Sequence, residues 1–126
     1  MQGDFLRLQL NLFDKLVLAV TNIIKDSQPA KKVLLKVNLF TPILVYLSRV
    51  IDKIGSEPLY SEERATASLN LLSQAVDAEP DSQNWILNNV KIDEICAKLL
   101  FQTESLQLAG MTCLLISQLC GGNPNA

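Results

Sequence analysis

Two segments of the chain repeat one another at a separation of 44 residues, and this repeat constrains the fold more than any other feature. The matching positions are Ala65, Leu69, Leu71, Leu72, Ser73 and Gln74 in the first segment and Ala109, Cys113, Leu115, Ile116, Ser117 and Gln118 in the second. Within the first segment, Ala65, Leu69, Leu72 and Val76 follow one another at spacings of four, three and four, which places them on one face of an α-helix. Amphipathic helices that recur at such a period are typical of helical solenoids. We therefore expect a solenoid that holds other proteins on an elongated surface.

Capping and helix-breaking residues divide the chain into seven predicted helices. We expect them over Phe5 to about Lys25, Pro29 to about Asn38, Pro42 to about Ile54, Glu62 to about Asp77, Pro80 to about Val90, Ile92 to Phe101 and Glu104 to Cys120. The predicted N-caps include Thr41, Ser61 and Thr103, and Gly121-Gly122 is expected to end the last helix. The lengths run long, short, medium, long, short, medium, long. A two-helix repeat would alternate, so this order indicates three helices per repeat.

Three-helix repeats with a short first helix and a long third helix resemble the armadillo family. The third helices carry Ala19–Ile23, Ser68–Leu72 and Thr112–Ile116, where the family typically has small and aromatic residues followed by Leu-Ser-Asn-Leu. The resemblance implies an all-α, right-handed superhelical solenoid of armadillo-like three-helix repeats. It also implies that residues 1–126 form a single repeat domain, which we expect to be a fragment of a longer solenoid. HEAT-like repeats are the alternative.

Two features of the family's peptide-binding face are altered in this chain. The asparagine of the family's binding ladder is kept at Asn22 but replaced by Leu71 and Leu115, and its tryptophan position falls on Leu18, Ala67 and Met111. These departures argue against the gripping of extended basic peptides. They favour an amphipathic helix as the bound element.

The composition offers little for catalysis or for metal binding. The chain contains no histidine, so Ser-His-Asp and Cys-His arrangements cannot form, and the usual zinc spacings are absent. It also lacks a glycine-rich loop followed by Lys-Ser or Lys-Thr. We therefore predict a protein that is not an enzyme and has no cofactor. Three cysteines, Cys96, Cys113 and Cys120, lie in apolar helical segments, and we expect them to be reduced core residues, with Cys113 in the position held by Leu69.

Charge is distributed unevenly along the chain. Residues 1–55 contain eight basic and four acidic side chains, a net charge of +4, whereas residues 56–126 contain three and nine, a net charge of -6. The overall charge of -2 offers no attraction to nucleic acid or to a membrane surface. Lys25, Lys31, Lys32 and Lys36 form one basic cluster, which we interpret as a solvated helix turn. Because no signal peptide or membrane span is apparent, we expect an intracellular, cytoplasmic protein.

The predicted partner site lies on the inner face of the three long helices, which line the concave surface in the armadillo family. The ladder positions, extended by one turn, are Lys15, Leu18, Asn22, Lys25, Arg64, Ala67, Leu71, Gln74, Leu108, Met111, Leu115 and Gln118. None of these is acidic, so the site is expected to bind an acidic segment with apolar anchors. The alternative for Leu71, Met111 and Leu115 is simple core packing. The alternative function is a structural homo-oligomer, or a cytoskeletal or centrosomal assembly component, joined through uncapped solenoid ends, because the last helix is apolar around most of its circumference.

Overall fold

The structure is a computed structural model that describes residues 2–89 and 91–120, and in this part of the chain every element is an α-helix. The helices are α1 (Gln2–Lys25), α2 (Gln28–Lys36), α3 (Phe40–Lys53), α4 (Glu62–Val76), α5 (Pro80–Asn89), α6 (Ile92–Phe101) and α7 (Leu106–Cys120). The all-helical prediction and the number of helices are thus confirmed for the described residues. Val90, which was predicted to lie in the fifth helix, and Gly121-Gly122, which were predicted to end the last helix, lie outside the described residues.

Serine hydroxyls begin three of the helices. The hydroxyl oxygens of Ser27 and Ser61 accept hydrogen bonds from the backbone N–H of Ala30 and Arg64, each at 3.2 Å. These bonds satisfy first-turn donors that have no partner within the helix. The N-cap predictions for Thr41 and Thr103 were wrong. Helix α3 begins one residue before Thr41, and α7 begins after Ser105, whose hydroxyl accepts from Leu108 N–H at 3.1 Å.

Helix α4 lies at the centre of the fold, between α1 on one side and α7 on the other. Its two-sided burial explains why apolar and small residues surround most of its circumference. Eight of its fifteen residues are buried, namely Ala65, Ser68, Leu69, Leu71, Leu72, Ser73, Ala75 and Val76. Helix α3 packs on α4 and α6 and contributes the fully buried Phe40 and Val50 to the same core. Since α1 contacts α4 and α4 contacts α7, the three long helices pack in the order in which they occur in the chain.

The C-terminal end of α4 is capped by side chains from two other helices. Lys31 Nζ donates to the Asp77 carbonyl oxygen at 3.2 Å, Gln28 Nε2 donates to the Ala78 carbonyl at 3.2 Å, and Gln83 Nε2 donates to the Val76 carbonyl at 2.7 Å. A helix leaves its last carbonyls unpaired and carries partial negative charge there, so a cation and amide donors stabilise it. Lys31 is accordingly only 6% exposed. The interpretation of the basic cluster as a solvated turn is therefore wrong for Lys31, whereas the other three lysines are exposed.

Helix α7 is packed on one side only. Its buried residues Leu108, Thr112, Leu115 and Leu119 follow spacings of four, three and four, whereas Cys113 and Cys120 are exposed. The prediction that Cys113 takes the buried position of Leu69 was wrong, because α4 packs against two long helices, α1 and α7, whereas the long helix that α7 packs against is α4. Of the three cysteines, Cys96 alone is buried.

In the native protein we expect two cysteine thiols to react rapidly with a labelling reagent and one to react slowly. Burial, with smaller contributions from Asp93 and Cys120, raises the pKa of the Cys96 thiol to about 11, so almost no reactive thiolate forms near neutral pH. A colorimetric disulfide reagent should therefore label Cys113 and Cys120 rapidly and Cys96 only after denaturant is added. In the variant Cys96→Ala, the slow phase of thiol labelling should be absent and the rapid phase should be unchanged. Three equal rates in native protein would contradict this assignment.

Among the described residues, no single helix is both long and apolar enough to cross a bilayer. Helices α2 and α3 reach the required length and composition only when taken together, with a 78° bend between them.

Candidate functional site

Helices α1 and α4 form a groove of about 280 Å³ that contains part of the predicted partner site. Its lining residues are Asp14, Val17, Leu18, Thr21, Glu63, Arg64, Ala67 and Asn70. Three of the twelve predicted residues, Leu18, Arg64 and Ala67, are thus brought together. Leu18 is 62% exposed, so its side chain is available at the mouth of the groove.

Arg64, whose positive charge was predicted to attract a partner, instead forms an ion pair with Asp14 across this groove. Arg64 Nε lies 2.9 Å from Asp14 Oδ1, and Arg64 Nη2 donates to Asp14 Oδ2 at 3.0 Å, which makes the pair bidentate. Arg64 Nη1 also donates to the Pro58 carbonyl at 3.2 Å. With Glu63 beside this pair, the charged residues lining the groove sum to -1, from two acids and one base. The groove therefore does not favour the acidic segment that was predicted.

The other nine predicted residues do not share one surface. Lys15, Asn22 and Lys25 are exposed on α1 but lie outside the groove lining, and Gln74, Met111 and Gln118 are half-buried. Leu71, Leu108 and Leu115 lie in the core, with exposures of 1%, 0% and 1%. The core alternative holds for Leu71 and Leu115, because α4 and α7 turn these side chains inward between packed helices. Leu108 and Leu115 are therefore not accessible to a partner in this structure, and Leu71 is reached only through a cavity that it lines together with residues of α1 and α3.

The groove also contains residues that the sequence-based prediction missed. Asp14 and Thr21 stand four residues before and three residues after Leu18, so all three share one face of α1. The prediction extended the same ladder position to Lys15 and Asn22 instead, which is one residue out of register. Helical spacing from Leu18 alone allows either Asp14 and Thr21 or Lys15 and Asn22 as the neighbouring site residues. Only the position of α4 shows that Asp14 and Thr21 line the groove.

A second candidate surface is an exposed apolar stripe on α1. It consists of Phe5, Leu8, Leu12, Leu16 and Ile23, which are 55–70% exposed. Their spacings of three, four, four and seven residues place them on one helical face. We call this surface the α1 stripe. Five large apolar side chains aligned over the length of a 24-residue helix are unusual at a solvated surface.

A third candidate surface, the α6–α7 cleft, is lined mainly by residues of α6 and α7. It has a volume of about 360 Å³, and its lining is apolar apart from Asp93: Leu87, Ile92, Asp93, Cys96, Ala97, Leu100, Phe101, Ile116, Leu119 and Cys120. Phe101 is 80% exposed at its edge. The adjoining helix α7 contains no charged residue, although one of its sides is exposed.

A further cavity, of about 800 Å³, lies between the segments that precede α4 and α7. Carboxylates of Glu57, Glu62 and Glu104 surround it, and Lys53 Nζ is 3.4 Å from Glu57 Oε1. These acids are the first-turn and loop residues that helix N-termini favour. No three acidic or cysteine side chains of the described part of the chain gather at a spacing suited to a metal ion.

Comparisons of the chain with protein-family models, with curated proteins and with solved structures find no match. Functional inference therefore depends on the surfaces described above.

Proposed function

We propose that this protein is a non-enzymatic protein-interaction scaffold, built as a right-handed armadillo-like superhelix, that binds a helix of a partner protein. The observation that carries the proposal is the α1 stripe. A solvated helix normally turns a polar face outward, whereas α1 presents five large apolar side chains there. Such an exposed apolar patch marks an interaction site in a folded protein.

The packing of the long helices supports a helical partner in particular. Helix α1 already buries one face against α4, with Val17 and Ile24 at 7% and 1% exposure. The α1 stripe has the same spacing of three and four residues on an exposed face of the helix, which is the pattern by which helices pack ridge into groove. The neighbouring α1–α4 groove, with its half-polar lining, would contribute polar contacts at the edge of such an interface.

Site-specific photo-crosslinking in cells tests the α1 stripe. A photo-activatable phenylalanine analogue at position 8 should give a discrete protein adduct, whereas the same analogue at position 11, which is exposed on another face of α1, should not. The double variant Leu12→Glu with Leu16→Glu should abolish the adduct, because it introduces charge into the apolar contact. Both leucines are more than half exposed, so the melting temperature should change little.

A matched control carries the same added charge on a different face of α1. The variant Asn11→Glu with Asn22→Glu alters two exposed side chains beside the stripe and should retain the adduct. Identical adducts from positions 8 and 11, or an adduct that survives Leu12→Glu with Leu16→Glu, would overturn the proposal.

A further inference from the structure

The 44-residue repeat shows which face of α7 lacks a neighbour. Cys113, Ser117 and Cys120 are exposed on α7, and their repeat equivalents on α4 are Leu69, Ser73 and Val76, with exposures of 0%, 2% and 0%. The same face is therefore covered in the first copy and open in the second. In this fold the neighbours that cover the long helix α4 include two other long helices, α1 and α7.

We propose that a second copy of this chain covers this face, and that its α1 stripe packs against α7 and the α6–α7 cleft in a head-to-tail contact. The inference rests on the proposed function, since it names the partner of the same α1 stripe. Both surfaces are apolar, and they are formed by different helices, α1 in one case and α6 and α7 in the other, with α4 in contact with both α1 and α7. One copy can therefore offer its α1 stripe to one neighbour and its α6–α7 cleft to another.

A projecting ring and a cavity of matching size support this pairing. Phe101 is 80% exposed at the edge of the α6–α7 cleft. Beside the α1 stripe, helices α1, α3 and α4 line a partly open apolar cavity of about 150 Å³, with Leu16, Pro42 and Leu71 in its lining. An apolar cavity of roughly this volume holds a benzene ring. The Phe101 side chain of one copy can thus occupy the cavity of the next.

Charge favours the same orientation. The half of the chain that contains the α1 stripe has a net charge of +4, and the half that contains the α6–α7 cleft has a net charge of -6. Helix α1 contains Arg7, Lys15 and Lys25 against Asp4 and Asp14, a net charge of +1, and the stretch Lys91–Glu94 at the start of α6 has a net charge of -1. Head-to-tail contact brings unlike charges together, whereas contact between two α1 stripes would bring like charges together.

A head-to-tail contact of this kind does not close on itself in the way that a two-fold dimer does. The expected product is an open chain of molecules whose mean length grows with protein concentration. Sedimentation velocity of the purified protein over a wide concentration range should therefore show species larger than a dimer.

Two variants, each with one damaged surface, test the arrangement. Leu12→Glu with Leu16→Glu damages the α1 stripe, and Phe101→Glu damages the edge of the α6–α7 cleft. Each variant alone should be monomeric. Their mixture should form a complex of one copy of each and grow no further, because one intact stripe and one intact cleft remain. Circular dichroism of each variant should show native helicity, since all three residues are exposed.

The outcomes separate this inference from the proposed function. A wild-type protein that stays monomeric at every concentration, while position 8 still crosslinks to a different protein, overturns self-assembly and leaves the scaffold function standing. A dimer that Phe101→Glu does not disrupt overturns the head-to-tail contact and indicates pairing of two α1 stripes. Absence of both crosslinks and assembly overturns both proposals.

Discussion

Replacing Leu115 with alanine is expected to lower the free energy of unfolding by about 2–5 kcal/mol, the usual cost of removing a buried leucine side chain. Leu115 is 1% exposed and lies on the face of α7 that packs into the core. Its neighbour Leu114 is 42% exposed on the same helix, so Leu114→Ala should change the unfolding free energy by about 1 kcal/mol or less. Urea denaturation followed by circular dichroism measures both values.

The same comparison applies to the other predicted ladder leucines. Leu71→Ala should be as costly as Leu115→Ala, whereas Leu18→Ala, at a position 62% exposed, should be nearly neutral. This contrast distinguishes core residues from residues that are available to a partner. Equal costs at Leu114 and Leu115 would show that α7 is not packed as described.

Raising the pH from 10 to 12 is expected to remove up to about 2 kcal/mol of stability through Tyr46 alone. Burial raises the pKa of Tyr46 from 10.0 to about 12 in the folded protein. Its hydroxyl donates to the Leu59 carbonyl at 2.8 Å, and an ionised phenolate has no proton to donate. The folded state thus holds this proton more tightly than the unfolded state. The contribution is complete below pH 10 and disappears as the pH rises towards 12.

The variant Tyr46→Phe isolates this effect. It should be less stable at neutral pH by about 1 kcal/mol, because the Leu59 carbonyl loses its hydrogen bond. The stability difference between wild type and variant should then shrink and reverse in sign between pH 10 and pH 12. Taking the difference cancels the alkaline titration of Cys96, which is present in both proteins. Parallel pH curves would show that Tyr46 does not titrate as described.

The aromatic neighbours of Tyr46 explain why this residue is buried at all. Its ring stacks on Tyr60 with centroids 5.1 Å apart and contacts Phe13 of α1 at 5.0 Å. Nothing in the local sequence around position 46 indicates these partners, since one lies 33 residues before it and the other 14 residues after it. Side chains distant in sequence thus set its pKa.

Local sequence patterns were sufficient to predict the helices. Periodic apolar residues, serine caps and proline breaks are properties of neighbouring residues, and they placed α4 and α6 close to their observed bounds. The ladder positions implied by the armadillo resemblance included Leu18, Arg64 and Ala67, which meet in one groove. The predicted groove was one residue out of register on α1, because periodicity shows which residues share a face but not where the neighbouring helix lies.

The sequence by itself determined that this chain forms helices with apolar faces. It also determined that the residues of α4 recur in α7 at a separation of 44 residues. Only the tertiary structure decided which apolar faces are covered. Leu69 and Cys113 hold the same repeat position, yet the first is buried and the second exposed, because α4 has long helices on two sides and α7 on one. Likewise, Lys31 is buried beside an exposed Lys32 because the end of α4, 46 residues away in the chain, offers it a carbonyl oxygen. Burial depends on which distant segments meet, and a helical period carries no information about that choice.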